Sequence, residues 1–242
     1  TNRGRDVVSA IERGESVGDD ELVRRLVAVG AIHPLPRPGI HRLDHVTAVI
    51  PALINNEARR HHLLRLVESL QGLARVIVID DCSPQPLAEL PGAEVIRSGI
   101  RLGPAGARNL GLTLVTTEFV LFVDTDVAVK KDTVQRLLDF VVTDDIAVVA
   151  PRVRGTEDDD LLSRFEAIHS PLDMGEVEAN VRQGTRVSYV PSAVWLCRTD
   201  ALRAIKGFDE SLRAGEDVDA VWRLVEHGSS VRYEPSVVVH HA

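Results

Sequence analysis

Hydrophobic residues along the chain form short continuous runs separated by stretches with helical spacing. Runs rich in Val, Ile, Leu and Phe lie at Val46–Ile50, Arg75–Ile79 and Phe119–Val123. Such runs predict strands buried on both faces, as in a parallel sheet. Between them, apolar residues recur every three or four positions and predict helices at 63–70, 105–115 and 134–141. The pattern predicts an α/β fold whose mostly parallel central sheet has the strand near Val120 in its middle and helices on both faces.

The second half of the chain predicts shorter elements. Strands are expected at Glu94–Ile96, Ile146–Ala150, Val187–Val190, Ala193–Leu196, Val231–Pro235 and Val237–His241. The acidic run Glu157–Asp160 is expected to precede a helix over 161–168, because a helix N-terminus favours negative charge. Two more helices are predicted at 199–205 and 216–227. The polar stretch His169–Thr185 predicts a long loop, a feature that is often functional in compact domains.

The chain divides into three predicted regions. Residues 1–32 contain two short amphipathic stretches, which predict a small helical N-terminal appendage. Residues 33–44 contain alternating prolines, which favour an extended, semi-rigid linker. Residues 45–242 contain the predicted sheet and its helices, and we expect them to form one domain.

Composition narrows the possible partners and the compartment. Over 242 residues the formal net charge is −8, which argues against a nucleic-acid partner because phosphate contacts dominate such binding. An anionic ligand would need a cation or local arginines. No run of 18 apolar residues occurs, so no transmembrane segment is predicted. Cys82 and Cys197 lack metal-type spacing and favour free thiols in the cytoplasm; peripheral attachment at the inner membrane face stays open.

Two carboxylates follow the predicted central strand at its C-terminal end. Asp124 and Asp126 stand one residue apart, immediately after Phe119–Val123. Open α/β sheets bind ligands at this edge, and two adjacent carboxylates repel each other unless a cation lies between them. Mg²⁺ and Mn²⁺ are held by one or two carboxylates together with substrate phosphates. The pair predicts a site for a metal-bound diphosphate, and a simple polar turn is the alternative.

A second pair of carboxylates follows the preceding long strand. Asp80 and Asp81 end the strand that begins at Arg75. Because the crossover between parallel strands is right-handed, both strand ends lie on one rim, and all four acids are expected to converge. Carboxylates here can accept hydrogen bonds from a nucleobase N–H or a ribose hydroxyl. A turn before Ser83-Pro84 is the alternative.

A glycine-rich turn precedes the predicted helix at 105–115. Gly103, Gly106 and Gly111 lack the spacing of a dinucleotide fingerprint, and no lysine follows as in a P-loop. The turn instead predicts free N–H groups at a helix start, with arginines available to an anion or a flat base. Arg108 and Asn109 are expected to face the crevice.

Further candidate groups lie near the end of the chain. Glu216 and Asp217 open the helix predicted at 216–227. An acid there is a general base if it points into the site and a helix cap if it does not. His240 and His241 end the last predicted strand, and only one can enter a given site because adjacent strand residues point to opposite faces.

The ordered motifs from Val46 to the end resemble glycosyltransferase family 2, which has the GT-A fold. They are Val78-Ile79-Asp80-Asp81-Cys82-Ser83, Gly103-Pro104-Ala105-Gly106-Ala107-Arg108-Asn109-Leu110-Gly111, Asp124-Thr125-Asp126, Gly207-Phe208-Asp209-Glu210, Gly215-Glu216-Asp217 and the closing Val-His-His. The N-terminal helical segment and Ser163–Asp173 are most similar to mycofactocin-system glycosyltransferases. One departure is the stretch Ala52–Glu57, which delays the polar residues that the family usually has after Pro51.

The resemblance implies roles for particular residues. Donor-contacting positions would be Pro51, Asp80, Asp81, Arg108, Asn109, Asp124 and Thr125. Asp80 and Asp81 would hold uracil and ribose. The metal positions would be Asp126, with Asp124 beside it, and His241 or His240. Asp217 would be the general base, with Glu216 as the next acid.

The implied activity is metal-dependent transfer of a hexose, glucose, from a UDP-sugar to an acceptor hydroxyl. The cation would be Mn²⁺ or Mg²⁺, and the acceptor a small or peptide-derived molecule such as the mycofactocin precursor. A single displacement would invert the anomeric centre. Two alternatives are a sugar nucleotidyltransferase, which should carry a glycine-rich basic loop after its first strand, and a non-catalytic nucleotide-binding module, which would not need Asp126 together with Asp217.

Overall fold

The computed structural model describes residues 2–15, 17–18, 21–130, 132–156 and 170–241. The acidic run Glu157–Asp160 and the helix predicted after it lie outside these residues. So do positions 163–169 of the segment that resembles mycofactocin-system enzymes.

The described helices and strands alternate through most of the chain. The helices are α1 (Asn2–Glu12), α2 (Glu21–Ala28), α3 (Glu57–Ser69), α4 (Gly103–Leu114), α5 (Thr133–Asp139), α6 (Thr199–Ala204) and α7 (Glu216–Glu226). The strands are β1 (Val46–Ala52), β2 (Arg75–Asp80), β3 (Glu94–Arg97), β4 (Phe119–Val123), β5 (Val127–Ala128), β6 (Ile146–Gly155), β7 (Ala179–Asn180), β8 (Val194–Arg198) and β9 (Ser230–His241).

One sheet holds these strands in the order β3-β2-β1-β4-β8-β6-β9-β5, and β7 pairs with β9. Parallel ladders join β3, β2, β1 and β4, and a further parallel ladder joins β6 to β9. Strand β8 runs antiparallel to both β4 and β6. Parallel ladders contain most of the paired residues, and β4 lies in the middle, as predicted from its run of five apolar residues.

Each face of the sheet is covered by its own hydrophobic core. Along β4, Phe119, Leu121 and Val123 pack on one face with apolar residues of α3 and α5. Val120 and Phe122 pack on the other face with residues of α4, α6 and α7. The alternation follows from the period of two along a strand. The predicted α/β fold, with a mostly parallel central sheet and helices on both faces, is therefore confirmed.

Two local predictions were wrong, and a third was right except at one short strand. The stretch predicted as a strand at Val187–Val190 is irregular, although Val187 and Val190 are buried. The predicted loop His169–Thr185 is irregular over its described residues except at β7, which pairs with β9. The two final segments form one strand, because the register shift opposite Pro151 and Arg152 lets β9 continue past Pro235. A short apolar run does not show by itself whether it will pair with a neighbouring strand. A proline likewise does not show whether a strand ends there or continues past it through a register shift.

Helix α2 and the proline-rich stretch contact the sheet domain through backbone carbonyls. Asn180 and Arg182 donate to the carbonyl of Ala28 at 3.1 and 3.2 Å. Arg232 on β9 donates from Nη1 to the carbonyl of Pro34 at 2.7 Å. The predicted division at residues 32 and 44 stays a prediction. None of the helices in the described ranges has the length and apolar character needed to span a membrane.

Candidate active site

The carboxyl ends of β1, β2 and β4 form one rim of the sheet, and the predicted acids lie along it. Strand β1 pairs in parallel with both neighbours, so Asp80 stands opposite Ala52, and Asp124 follows the strand on the other side. The N–H of Asp81 donates to the carbonyl of Ala52 at 2.8 Å. The convergence of the two acid pairs on one rim follows from this register.

Asp80 is fully buried beneath the rim and has protein partners at both carboxylate oxygens. Oδ1 accepts from the N–H of Ser83 at 2.9 Å, and Oδ2 accepts from the N–H of Leu87 and from Arg97 at 3.2 and 2.5 Å. Burial alone would raise the pKa of Asp80, but these hydrogen bonds outweigh it and lower the pKa. Asp80 thus fixes the loop after β2, and its contact with a nucleotide stays a prediction.

Asp81 joins that loop to the glycine-rich turn. Its two carboxylate oxygens accept from the N–H groups of Leu102 and Gly103 at 2.6 and 2.9 Å. These are donors at the start of α4, which would otherwise lack intrahelical partners. The glycine-rich turn is therefore held against the rim by a carboxylate of β2.

Arg108 was expected to face the crevice, but its side chain is only 3% exposed. Nη2 donates to Oδ1 of Asp124 at 2.8 Å, and Nη1 donates to Oε1 of Glu216 at 3.2 Å. The guanidinium carbon lies 5.5 Å from the centre of the Phe208 ring. Arg108 thus connects the end of β4 to the start of α7, and its predicted contact with the donor stays a prediction.

Asn109, also expected to face the crevice, is bonded to the loop that follows α6. Its Oδ1 accepts from the N–H of Phe208 at 2.9 Å, and its Nδ2 donates to the carbonyl of Phe208 at 2.8 Å. Nδ2 also donates to Oε1 of Glu210 at 2.8 Å. All of these partners belong to the protein, so the predicted nucleobase contact of Asn109 likewise stays a prediction.

The Asp124-Thr125-Asp126 motif meets the last strand at the rim. Strand β5 pairs with β9 so that His241 stands opposite Val127 and His240 opposite Ala128. Nε2 of His241 lies 3.5 Å from Oδ1 of Asp126. Of the two histidines, His241 therefore approaches the motif, and His240 points to the opposite face of the strand.

Electrostatics distinguish the acids of this motif. The hydrogen bond from His241 lowers the pKa of Asp126, and the same interaction raises the pKa of His241. Burial raises the pKa of Asp124, and the charge of Asp126 adds to this effect, although Arg108 opposes it. Of the two acids of this motif, Asp126 is therefore the one that stays ionised more readily.

The donor atoms of Asp126 and His241 suit a divalent cation. The described residues contain no ready-made cluster of three or more His, Cys, Asp or Glu side chains placed to hold a metal. Mg²⁺ and Mn²⁺ sites at phosphate substrates use one or two carboxylates and take their remaining ligands from the substrate and water. One carboxylate and one imidazole, with Asp124 beside them, fit a site that a diphosphate would complete.

Asp217 lies in the first turn of α7. The N-cap position belongs to Gly215, whose φ is 82° and which makes no side-chain capping bond. Asp217 accepts from the N–H groups of Val218 and Ser192 at 2.8 and 3.4 Å. Burial raises its pKa, and the neighbouring charge of Glu216 adds to the increase. A carboxylate with a raised pKa suits a general base, whereas Glu216 is paired with Arg108.

Several residues that shape this site were not predicted from the sequence. Arg97 bonds Asp80, and a signal existed, because Arg97 directly follows the predicted strand at 94–96, whose parallel register places it opposite Asp80. Ser192 and Phe208 contribute backbone groups and a ring, and no local pattern in the sequence marks their contacts.

Comparisons with known proteins agree on the class. The sequence matches the family model described as glycosyl transferase family 2 over residues 47–206. It is 44% identical over 228 residues to "Pre-mycofactocin glycosyltransferase" of Mycobacterium tuberculosis, an alignment that covers 91% of this chain and 47% of that protein. It is 26% identical over 220 residues to "Succinoglycan biosynthesis protein ExoO" of Rhizobium meliloti, covering 82% and 61% of the two chains. The chain thus spans about half the length of the M. tuberculosis relative.

Solved structures show the same fold. A mannosyltransferase of Pyrobaculum calidifontis in complex with GDP-Man and Mn²⁺ has a TM-score of 0.62 at 18% identity, covering 86% of this chain and 59% of that one. TarS of S. aureus in complex with UDP has a TM-score of 0.60 at 21% identity, covering 81% and 59%. At these identities the likeness concerns the fold.

Proposed function

The chain belongs to glycosyl transferase family 2, and we propose that it transfers glucose from UDP-glucose to a hydroxyl group of pre-mycofactocin, with inversion at the anomeric carbon. The enzyme class is that of the family, whereas donor, acceptor and stereochemistry are the proposal. The observation that carries it is the 44% identity over 91% of this chain to a pre-mycofactocin glycosyltransferase. Membership of the family rules against the two alternatives, a nucleotidyltransferase and a non-catalytic module.

A nucleoside-diphosphate sugar and a divalent cation fit the rim. Neighbours of the same fold hold GDP-Man with Mn²⁺ or hold UDP. Here Asp126 and His241 would bind Mn²⁺ or Mg²⁺, with Asp124 beside them. When bound, the cation would offset the negative charge that develops on the departing diphosphate. The acidic chain, with its net charge of −8, otherwise offers little to attract such an anion.

Asp217 supplies the general base in this proposal. Its carboxylate accepts the proton of the acceptor hydroxyl while that oxygen forms a bond to C1 of the sugar. The bond between C1 and the diphosphate breaks in the same step, and UDP leaves with the electron pair. One displacement inverts C1. The partial burial that raises the pKa of Asp217 makes it a stronger proton acceptor than an exposed aspartate.

The acceptor and donor are tested together by product analysis. The protein is incubated with Mn²⁺, pre-mycofactocin and, in separate reactions, UDP-glucose, UDP-galactose, UDP-N-acetylglucosamine and GDP-mannose. We expect mass spectrometry to find a hexose on pre-mycofactocin with UDP-glucose, and NMR to show a β-linkage formed from the α-linked donor. No glycosylated product with UDP-glucose, or an α-linkage, would contradict the proposal.

A further inference from the structure

Two adjacent residues of α4, Arg108 and Asn109, contact both ends of the segment Phe208–Glu216. This segment leads directly into Asp217. Asn109 binds its first residue, and Arg108 binds its last. Between these anchors, residues 209–214 are exposed. The position of Asp217 over the rim therefore depends on contacts made by α4.

The contact at Phe208 is specific for an asparagine. The amide of Asn109 accepts from the N–H of Phe208 and donates to its carbonyl, at 2.9 and 2.8 Å. An amide supplies both an acceptor and a donor, which aspartate does not. The approach is close, because a Cβ on Gly207 would lie 2.3 Å from Oδ1 of Asn109. Gly207 also has a φ of 72°, so the position excludes a side chain in two ways.

The contact at Glu216 joins the segment to the metal-binding motif. One buried guanidinium bonds Asp124 at 2.8 Å and Glu216 at 3.2 Å. Its planar shape sets the separation of the two carboxylates in a way that a lysine cannot reproduce. Because Glu216 directly precedes Asp217, a shift of Arg108 would move the base relative to Asp124.

We propose that Arg108 and Asn109 are positioning residues for sugar transfer. They fix the base Asp217 relative to Asp124 through Glu216 and Phe208. Their side chains form hydrogen bonds with protein groups and do not bind the nucleotide. The inference rests on the proposed function, because it takes Asp217 as the general base. Catalysis by a base is sensitive to small displacements, so such residues affect turnover more than donor binding.

A double-mutant cycle tests the action of Arg108 through Glu216. The variants are Arg108→Met, Glu216→Gln and the double variant, with Arg108→Lys in place of Arg108→Met if the latter does not fold. The kcat is measured at saturating donor and expressed per UDP-binding site, so that a loss of folded protein does not count. The Kd of UDP is measured by calorimetry on the same samples.

We expect each single variant to lose about tenfold to a hundredfold in kcat, and the double variant to lose little more than the worse single one. The Kd of UDP should stay within about threefold of the parent value. Losses that multiply in the double variant would overturn the coupling. A tenfold or greater increase in the Kd of UDP with an unchanged kcat would show that Arg108 binds the nucleotide instead.

A second pair of variants tests Asn109. Asn109→Asp removes the donor to Phe208 and places a carboxylate against Glu210, so kcat should fall while the Kd of UDP is kept. Adding Glu210→Gln lets the amide of residue 210 donate to the new carboxylate at position 109, so the double variant should recover part of kcat. Thr113→Ala, on the same helix and bonded only to the carbonyl of Leu110, is the matched control and should change neither quantity. No recovery by Glu210→Gln would overturn the role of Asn109.

The outcome separates this inference from the proposed function. Parent protein that neither binds UDP nor transfers glucose would refute the proposed function, and with it this inference. Parent protein that transfers glucose, with variants whose losses multiply or fall on UDP binding, would refute the inference alone.

Discussion

Asp217 is the residue on which the proposed chemistry depends. It lies in the first turn of α7, where Gly215 holds the N-cap and the carboxylate of Asp217 accepts from the N–H of Val218. Its neighbour Glu216 is paired with Arg108, whereas Asp217 accepts only backbone N–H groups. Of the two acids, Asp217 is therefore the one free to accept a proton from an acceptor.

Asp217→Asn tests the base directly. The change keeps the size of the side chain and removes proton acceptance, so we expect a loss of about two to four powers of ten in transfer rate. The Kd of UDP should be nearly unchanged. The matched control is Asp219→Asn, two residues along α7, where the carboxylate bonds Arg223 and not the rim. Transfer by Asp217→Asn within tenfold of the parent would refute the assignment, and Glu216 would be tested next.

The pH dependence of transfer follows from the raised pKa of Asp217. A protonated carboxyl cannot accept the acceptor's proton, so the rate should fall as pH decreases through this pKa. The midpoint should lie above the ordinary aspartate value of about 3.9. The folded state holds this proton more tightly than the unfolded chain, so protonation of this group does not itself destabilise the fold as pH falls. A pH–rate profile checks this, and Asp217→Asn should lack this acid limb.

Residue types at the rim could be predicted from the sequence, but their partners could not. The order of the strands placed Asp80 and Asp124 on one edge, because strand ends in a parallel sheet meet there, and the resemblance assigned Asp217 to the same site. Arg108 is buried against Asp124, which lies 16 positions away in the sequence, and against Glu216, which lies 108 positions away. No local pattern in the sequence encodes such long-range pairs. A motif alone therefore does not tell whether an arginine such as Arg108 contacts a bound ligand or other side chains of the protein.

At the scale of elements, helix α4 approaches the sheet unusually closely. A Cβ added at Gly111 would lie 2.2 Å from Cγ1 of Val49 on β1. The glycine therefore allows the helix that carries Arg108 and Asn109 to pack directly on the strand beside the rim. The closeness of this contact links the packing of the fold to the geometry of the site.

Gly111→Ala should destabilise the protein because the added methyl group overpacks the contact with Val49. We expect a decrease of about 1–3 kcal/mol in the free energy of unfolding, measured with denaturant. Gly99→Ala is the control, since a Cβ there meets no atom within 4 Å and no unusual φ is required. Equal stability of both variants would mean that α4 does not pack as closely as described.

Long apolar runs predicted the central strands well because these strands are buried on both faces. The two-residue strands β5 and β7 were missed, since pairs such as Val127–Ala128 carry no periodicity. Their pairing depends on β9, which is distant in sequence and reaches β5 only by continuing past Pro235. The pairing matters for the site, because it decides that His241 and not His240 approaches Asp126.

At the scale of the whole molecule, strand β9 connects the N-terminal region to the rim. Its buried Arg232 donates to the carbonyl of Pro34 and pairs with Glu234, while its last residues reach Asp126. The proline-rich stretch is thus hydrogen-bonded to β9, the strand that supplies the candidate metal ligand His241.

Arg232→Met should remove this anchor and leave Glu234 buried without its ion-pair partner. We expect a decrease of about 3–5 kcal/mol in the free energy of unfolding, the usual cost of breaking a buried pair. Adding Glu234→Met should recover part of this loss, because no unpaired charge then remains. Denaturant unfolding of both variants measures the effect, and a double variant less stable than Arg232→Met would contradict the pairing.

In the proposed function, Asp126 and His241 hold a divalent cation that sugar transfer from a UDP-donor requires. The most direct measurement is the rate of UDP release from UDP-glucose in the presence of pre-mycofactocin, with Mn²⁺ and then with excess chelator. We expect the chelator to abolish release, added Mn²⁺ or Mg²⁺ to restore it, and Asp126→Ala to be inactive while unfolding at the same denaturant concentration as the parent. A full rate of UDP release in excess chelator would contradict the account.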